Sequence, residues 1–354
     1  MRRVNLDLLP VGGKLARTIF SSDGGVLLSQ GIELTECYIE QLRKRGINEV
    51  YLEDEFSRGI EVHDVIKEET RNEAVVLVKK IMTGFSFAET IDVENVKVIV
   101  NKIVDELLQN DDILYNLTEI KTVDDYTFEH SVNVCILSLI TGIGLGFDTG
   151  RLRELGIGAI LHDIGKLCIP RELLTKPSQL TENEFKEIKK HTVLGYELLK
   201  KTGKLDLVSS YIALGHHERY DGSGYPLHLK KDSIQIYSRI VAVADVYDAL
   251  TSDRVYRKKL RPNEVYDYIT SSGINHFDSN VVRSFVKYVT VYPVGTGVLL
   301  NTGERAIVVR DNRLMPTRPL VRVAYDSEMK RSSTVKEIDL AQAFDIFIVD
   351  GCEV

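Results

Sequence analysis

The stretch LRELGIGAILHDIGK, residues 152–166, is typical of a helix that ends in a histidine and an aspartate. His162 and Asp163 close the apolar part, and Gly165 permits the chain to leave the helix because glycine accepts the conformations found at helix ends. Lys166 follows at once. An imidazole, a carboxylate and an ammonium group therefore converge at one helix end.

Helical patterns continue on both sides of this stretch. Apolar residues between Val96 and Leu108 repeat at three and four residues, the spacing of one buried helical face. Glycine, proline and polar residues separate further predicted helices at about 126–141, 149–161, 182–202, 205–217 and 234–252, with one or two more between 262 and 289. Thr181 and Glu184 form a capping box for the helix at 182. We predict that the centre of the chain is helical.

The two ends of the chain have strand patterns. LARTIF (15–20) and VLL (26–28) flank a Ser-Ser-Asp-Gly-Gly turn, which predicts a β-hairpin. After residue 291, β-branched and aromatic runs alternate with turn residues. The predicted fold is therefore mainly α, with a small α+β N-terminal domain at 1–60, a linker or connecting helix at 61–94, a helical domain at 95–290 and a small β C-terminal domain at 291–354.

Length and composition restrict the class of protein. The chain has 354 residues, 44% of them hydrophobic, and a net charge of −7, which indicates a folded chain of two or three units and disfavours a polymeric nucleic acid partner. The four cysteines are widely spaced without a CxxC pair, so we expect reduced, mostly buried thiols. The sequence shows no signal peptide and no run of about 18 apolar residues, and we expect a cytoplasmic protein with no membrane partner.

Seven of the eight histidines fall in the predicted helical domain, and five of them, at positions 130, 162, 191, 216 and 217, lie on or at the ends of the helices predicted between 126 and 217. Any one of them alone is more simply explained as a core or surface histidine. His130 precedes an almost continuously apolar run, which predicts that its ring points inward. His191 shares a helical stripe with Ile188 and Gly195, and we expect the small residue to leave room beside the ring.

Asp245 lies in IVAVADVYDAL, a helix apolar enough to be buried nearly all round. An unpaired carboxylate there would cost roughly several kcal/mol, so either a salt bridge or a metal ion must compensate it. Four or five imidazoles with two carboxylates exceed the ligands of one tetrahedral zinc, but they suit two first-row ions that share a carboxylate. Two such ions, about 3.5–4 Å apart, can hold a bridging hydroxide as the nucleophile of phosphate ester hydrolysis.

HHERYDGSGYP, residues 216–226, begins with two of these histidines and continues into a constrained loop. Its glycines permit a tight path and its proline stiffens it. We predict that this loop forms a wall or lid over the substrate.

Together these motifs resemble the HD-GYP family of metal-dependent phosphohydrolases over about residues 95–290. The segments that carry the resemblance are DDYTFEHS (124–131), LHDIGK (161–166), KKHTVLGYELL (189–199), HHERYDGSGYP (216–226), ADVYDAL (244–250) and SDRVYRKKL (252–260). It implies an HD-type helical bundle that hydrolyses cyclic di-GMP to linear pGpG, and in some members on to GMP. Two alternatives are a receptor that binds cyclic di-GMP and a phosphodiesterase acting on another cyclic nucleotide.

The resemblance also implies the site residues. It assigns one ion to His130, His162, Asp163 and Asp245, and the other to Asp163, His191, His216 and His217, with Asp163 as the bridge. Asp163 and Lys166 would be catalytic, and the substrate would bind Lys166, Tyr225, Arg254 and Arg257. Iron is the expected metal, with manganese, nickel or cobalt as alternatives. Tyr126 stands where some members carry a glutamate for a third ion, so we expect two ions.

The resemblance suggests partners besides cyclic di-GMP. A diguanylate cyclase or another signalling protein is a candidate partner, and a second copy of the chain is a candidate for a homodimer. Residues 1–60 contain no catalytic cluster, and we expect them to regulate the helical domain.

Overall fold

The structure, a computed structural model, covers most of the chain. It describes residues 1–9, 12–21, 24–84, 91–110, 126–176, 178–252, 260–271 and 275–354, without the side chains of residues 84, 126, 262 and 332–334. Within these ranges the chain forms two compact units, residues 1–64 with 289–354 and residues 65–110 with 127–288. The mainly α fold predicted from the sequence is confirmed.

The first unit combines both ends of the chain. Its N-terminal part contains β1 (Arg2–Asn5), β2 (Lys14–Leu15), β3 (Ile19–Phe20), β4 (Val26–Leu28), α1 (Glu36–Lys44) and β5 (Glu49–Glu53). Its C-terminal part contains β6 (Gly297–Leu300), β7 (Arg305–Arg310), β8 (Leu320–Tyr325), β9 (Arg331–Asp339) and β10 (Ile348–Gly351). The predicted hairpin is present, because β3 pairs antiparallel with β4.

All strand pairs of this unit are antiparallel in the described residues. The sheets have the orders β1-β5-β2, β3-β4 and β10-β6-β7-β8-β9. One apolar cluster contains Tyr51 and Val62 from the first part together with Val298 and Ile307 from the second. The structure therefore groups into one unit two segments that the sequence presented as separate domains.

The second unit is helical. Its helices are α2 (Glu68–Gly84), α3 (Val93–Gln109), α4 (Tyr126–Gly144), α5 (Thr149–Ile160), α6 (Arg171–Leu174), α7 (Glu182–Lys189), α8 (His191–Thr202), α9 (Leu207–Gly215), α10 (Ile236–Thr251), α11 (Pro262–Thr270) and α12 (Ser279–Phe285). A 3-10 turn at Ile164–Cys168 follows α5. The single helix predicted at 182–202 is wrong, since a turn at Lys190 divides it, whereas its capping box by Thr181 and Glu184 is confirmed.

Helix α9 is central to this unit, packing against α5, α8 and α10. It approaches α5 closely at Gly158, where an added Cβ would lie 2.6 Å from the carbonyl oxygen of Ser209. A larger residue at 158 would push the two helices apart. The packing holds the C-terminal ends of α5 and α9 together, and both ends carry predicted ligands.

Two smaller expectations concern the membrane and the thiols. Among the described residues, none of the helices combines the length and the apolar character that crossing a bilayer requires. The four cysteines are free thiols, as expected. They are not mostly buried, however, because only Cys135 is fully enclosed and Cys37 is exposed.

Candidate metal centre

The seven side chains predicted as ligands come together in the second unit. They are His130 of α4, His162 and Asp163 after α5, His191 at the start of α8, His216 and His217 after α9, and Asp245 of α10. Their donor atoms form two groups, each within 4.8 Å, one with His130, His162 and Asp245 and the other with Asp163, His191, His216 and His217. Helix ends supply most of these residues, which places their side chains around a common point.

Asp163 lies between the two groups, with one carboxylate oxygen facing each. Its Oδ2 is 3.9 Å from Nε2 of His130 and 3.4 Å from Nε2 of His162. Its Oδ1 is 3.5 Å from Nε2 of His191 and 3.8 Å from Nε2 of His216. A carboxylate in this position is arranged to contact two cations at once.

Backbone carbonyl groups fix the orientation of three imidazoles. The acceptors are the carbonyl oxygens of Ala159 for His162 (2.7 Å), Ile188 for His191 (2.7 Å) and Ile212 for His216 (3.1 Å). A carbonyl oxygen can only accept, so Nδ1 of each ring carries the proton and Nε2 keeps its lone pair. In His162, Nε2 has no hydrogen-bond partner in the described part of the chain. Metal-ligating histidines commonly show this arrangement.

The electrostatics of the second group favour neutral imidazoles. Burial lowers the pKa of His191 below its usual value and the pKa of His217 to about 3. Burial and the neighbouring imidazoles of His217 and His162 hold the pKa of His216 well below its usual range. Burial alone would raise the pKa of Asp163, but Lys166 and the imidazoles outweigh it and keep that carboxyl ionised. Neutral imidazoles and ionised carboxylates are the forms that bind metal ions.

His130 has a carboxylate on each ring nitrogen. Its Nε2 is 3.2 Å from Oδ1 of Asp245, and its Nδ1 is 2.7 Å from Oδ2 of Asp248. Burial alone would lower the pKa of His130, but the hydrogen bonds with Asp245 and Asp248 outweigh it and raise the pKa to about 9. Asp248, which is fully buried, was not among the site residues predicted from the sequence. Its position three residues after Asp245, on the same helical face, was the available signal.

The donor set fits a pair of divalent metal ions. It offers five imidazoles and two carboxylates without a thiolate, a combination suited to first-row transition metals. The centre also contains two buried polar atoms that lack hydrogen-bond partners in the described residues, Nε2 of His162 and Oδ1 of Asp163. Such atoms are costly to bury unless something else binds them.

One side of the centre is partly open to solvent. The side chains of His217 and Lys166 are 27% and 29% exposed, in contrast to the enclosed predicted ligands around them. The ammonium group of Lys166 donates to Oδ2 of Asp163. The ring of Tyr225 lies against His217 with 4.8 Å between centroids, and Nζ of Lys189 is 4.7 Å from the centroid of Tyr225. A substrate that reaches the centre from this side meets these residues.

A buried carboxylate holds the loop that carries Tyr225. Glu218 is 3% exposed and accepts hydrogen bonds from the backbone N–H groups of Leu227 (2.6 Å) and Leu229 (3.0 Å). From the sequence, the shape of this loop was predicted to depend on its glycines and proline alone. The position of Glu218 directly after two predicted ligands was the signal for its role.

Some predicted features differ or lie outside the described residues. Arg254 and Arg257 belong to the residues that the structure does not describe, and so does the side chain of Tyr126. Gly195 does not serve to leave room beside the ring of His191, because the backbone of Gly165 packs against it, 3.1 Å from the position of an added Cβ.

Comparisons with known proteins agree with this geometry. Residues 120–281 match the HD domain, and residues 297–353 match a KOW domain associated with the HD domain. A cyclic di-GMP phosphodiesterase of Pseudomonas aeruginosa is 30% identical over 92% of this chain and 83% of its own length. A 3′3′-cGAMP-specific phosphodiesterase of Vibrio cholerae is 37% identical over 52% of this chain and 42% of its own length.

A solved structure, that of an HDG"Y"P protein of Bdellovibrio bacteriovorus, aligns over 80% of this chain and 97% of its own, with 15% identity and a TM-score of 0.49. The family assignment does not depend on that likeness. It follows from the Pseudomonas relative, which aligns over nearly the whole chain, and from the HD-domain match. The chain belongs to the HD-GYP family of HD-domain phosphohydrolases.

Proposed function

We propose that the chain is a metal-dependent phosphodiesterase that hydrolyses cyclic di-GMP to linear pGpG, or further to GMP. The observation that carries the proposal is the position of Asp163, whose two oxygens face two separate groups of histidines. The relative from Pseudomonas aeruginosa, a cyclic di-GMP phosphodiesterase, supports the choice of substrate because it aligns with 92% of this chain.

The proposed centre holds two ions. His130, His162, Asp163 and Asp245 would bind one, and Asp163, His191, His216 and His217 the other. When bound, such ions act as Lewis acids that activate water and neutralise charge on a phosphoryl group. By family resemblance iron is the first candidate, followed by manganese and then nickel or cobalt. The donor set does not choose among them, since imidazole-rich sites without thiolate accept all four.

Lys166 contributes a fixed positive charge beside the same phosphate. Its ammonium group is hydrogen-bonded to Asp163 and partly exposed on the open side of the centre. Hydrolysis adds water to phosphorus and breaks its bond to the 3′ oxygen, which then takes a proton. The fixed charge of Lys166 offsets the negative charge that develops on the phosphoryl oxygens during this step.

Tyr225 and Lys189 would contact the rest of the substrate. The Tyr225 ring lies beside His217 at the opening, with the loop beneath it held by Glu218. The Lys189 ammonium lies over the rings of Tyr225 and Phe185, each 4.7 Å away, and has no carboxylate partner in the described part of the chain. A cation without a carboxylate partner beside the opening is suited to a phosphate oxygen of the substrate.

A direct assay tests the function. Protein purified without oxygen and loaded with Fe²⁺ or Mn²⁺ is incubated in parallel with cyclic di-GMP and 3′3′-cGAMP, and the products are separated by chromatography. We expect linear pGpG or GMP from cyclic di-GMP, with Asp163→Asn inactive as the matched control. Absence of any linear product under both metals would refute the enzyme. Faster turnover of 3′3′-cGAMP would instead reassign the substrate, as the Vibrio relative would suggest.

A further inference from the structure

A chain of hydrogen bonds connects α2 to the proposed metal centre. Nη1 of Arg71 donates to Oδ1 of Asn133 at 2.7 Å. Nδ2 of Asn133 donates to Oδ1 of Asp248 at 3.0 Å, and the other oxygen of Asp248 lies 2.7 Å from Nδ1 of His130. The path leads from α2 through α4 and α10 to the ring of a predicted ligand.

Each link in this chain has a fixed polarity. A guanidinium group can only donate, so Arg71 holds the amide oxygen of Asn133 towards itself. The amide nitrogen of Asn133 must then face Asp248, where it donates to a carboxylate. Asn133 and Asp248 are both fully buried, so water does not compete for these groups. Without Arg71, nothing in this path would prevent the amide from turning its oxygen towards Asp248, where two acceptors would repel each other.

Helix α2 also lies beside residues that flank the centre in sequence. Val78 and Ile81 line a small cavity together with Leu161 and Ile164. These last two residues flank His162 and Asp163 in sequence. The N-terminal end of α2 is tied to α3 as well, because Thr70 donates to Glu106 at 2.7 Å. Helix α2 is therefore held in place where it reaches both the His130 side and the His162 side of the first ligand group.

We propose that Arg71 is a positioning residue that acts through Asn133 and Asp248 to hold the ring of His130 in the orientation for metal binding. The inference rests on the proposed metal centre and extends it to α2, a helix that contributes no ligand to it. Removing Arg71 lowers the affinity for the ion of the first group and leaves the second group unchanged. Groups that orient a ligand from behind typically change metal affinity by about 10-fold to 100-fold.

The test is titration of metal-free protein with Mn²⁺ by calorimetry. Arg71→Met keeps the apolar stem and removes the donors, Arg71→Lys keeps a cationic donor, and Arg153→Met is the control on a half-exposed arginine of α5. We expect two ions in the parent and in Arg153→Met. In Arg71→Met we expect one of the two metal affinities to fall about tenfold. In Arg71→Lys we expect that affinity to be partly restored. Parent-like affinities in Arg71→Met would overturn the inference.

A second measurement separates positioning from general stability. Residues that act through one another have non-additive effects, so Arg71→Met should add little to the metal affinity already lost in Asp248→Asn. A full additional loss in the double variant would show that Arg71 acts by another route. If Arg71→Met gives no folded protein by circular dichroism, Arg71→Leu, which also has no donor, replaces it with the same two outcomes. A parent protein that binds no ion would overturn the metal centre together with this inference.

Discussion

Gly165 and His191 are in direct backbone contact. A Cβ added to Gly165 would lie 2.5 Å from the amide nitrogen of Gly195 and closer still to the carbonyl oxygen of His191. Neither neighbouring atom belongs to a side chain that could turn away. The contact holds α8 against the turn after α5, and with it Nε2 of His191 at 3.5 Å from Oδ1 of Asp163.

Substitution of Gly165 by alanine should therefore separate the two ligand groups. We expect the Ala variant to lose affinity for the ion of the second group, because His191 moves while His130 and Asp245 do not. A displacement of about 1 Å can reduce the catalytic rate about 100-fold. Metal titration and turnover of cyclic di-GMP measure both effects. Gly150→Ala, at an exposed position in the first turn of α5, is the matched control and should behave like the parent.

Asp163 and Asp245 should differ in the number of ions that they affect, because Asp163 faces both donor groups and Asp245 belongs to one. Asp163→Asn should weaken both ions, since each carboxylate oxygen faces a different group. Asp245→Asn should mainly weaken the ion of the first group, which contains Asp245. Elemental analysis of protein purified without oxygen measures the ions per chain. Two ions and normal turnover in Asp163→Asn would falsify the shared role.

The sequence predicted which side chains cluster at the centre more fully than it predicted the groups that support them. Histidines and aspartates at helix ends indicate a site because the residue types themselves carry the chemistry. The polarity of Asn133 and the carboxylates of Asp248 and Glu218 depend on which atoms tertiary packing places beside them. Spacing alone could not show that Asp245 belongs to the first donor group while Asp248 contacts Nδ1 of His130, since both lie on one face of α10.

Irregular elements were harder to predict for a similar reason. The turn at Lys190 carries no glycine or proline, so the pattern at 182–202 read as one continuous helix. Strand β9 (RSSTVKEID) has a mostly polar sequence that gives a weak strand pattern, and it is an edge strand, paired only with β8 among the described strands. In both cases contacts between distant residues outweigh the local pattern.

Glu218 should matter for the substrate loop rather than for the metals. In Glu218→Gln, only one of the two loop N–H groups can keep an acceptor, because the amide nitrogen would face the other. Leaving a buried donor unsatisfied costs about 1–3 kcal/mol. We expect faster hydrogen exchange at residues 220–229 and a higher KM for cyclic di-GMP, with two ions retained. Asp232→Asn, whose side chain is 86% exposed, is the control. Loss of metal in Glu218→Gln would contradict a role confined to the loop.

Lys189 and Lys190 are neighbours with different surroundings, which makes them a matched pair. Nζ of Lys189 lies over the rings of Tyr225 and Phe185, whereas Lys190 has a 59% exposed side chain paired with Glu187. Lys189→Met keeps the apolar stem that packs on the rings and removes only the charge. If the ammonium binds a substrate phosphate, the variant loses a charge-assisted hydrogen bond worth about 1.5–3 kcal/mol.

That loss corresponds to a rise in KM of roughly 10-fold to 100-fold for cyclic di-GMP. The turnover number and the metal content should stay close to those of the parent, because Lys189 is not among the predicted ligands. Steady-state kinetics of both variants at several salt concentrations measure the effect, which should shrink as salt screens the lost charge. Lys190→Met should match the parent throughout. An equal rise in KM for both variants would mean that general positive charge attracts the substrate and that Lys189 makes no specific contact.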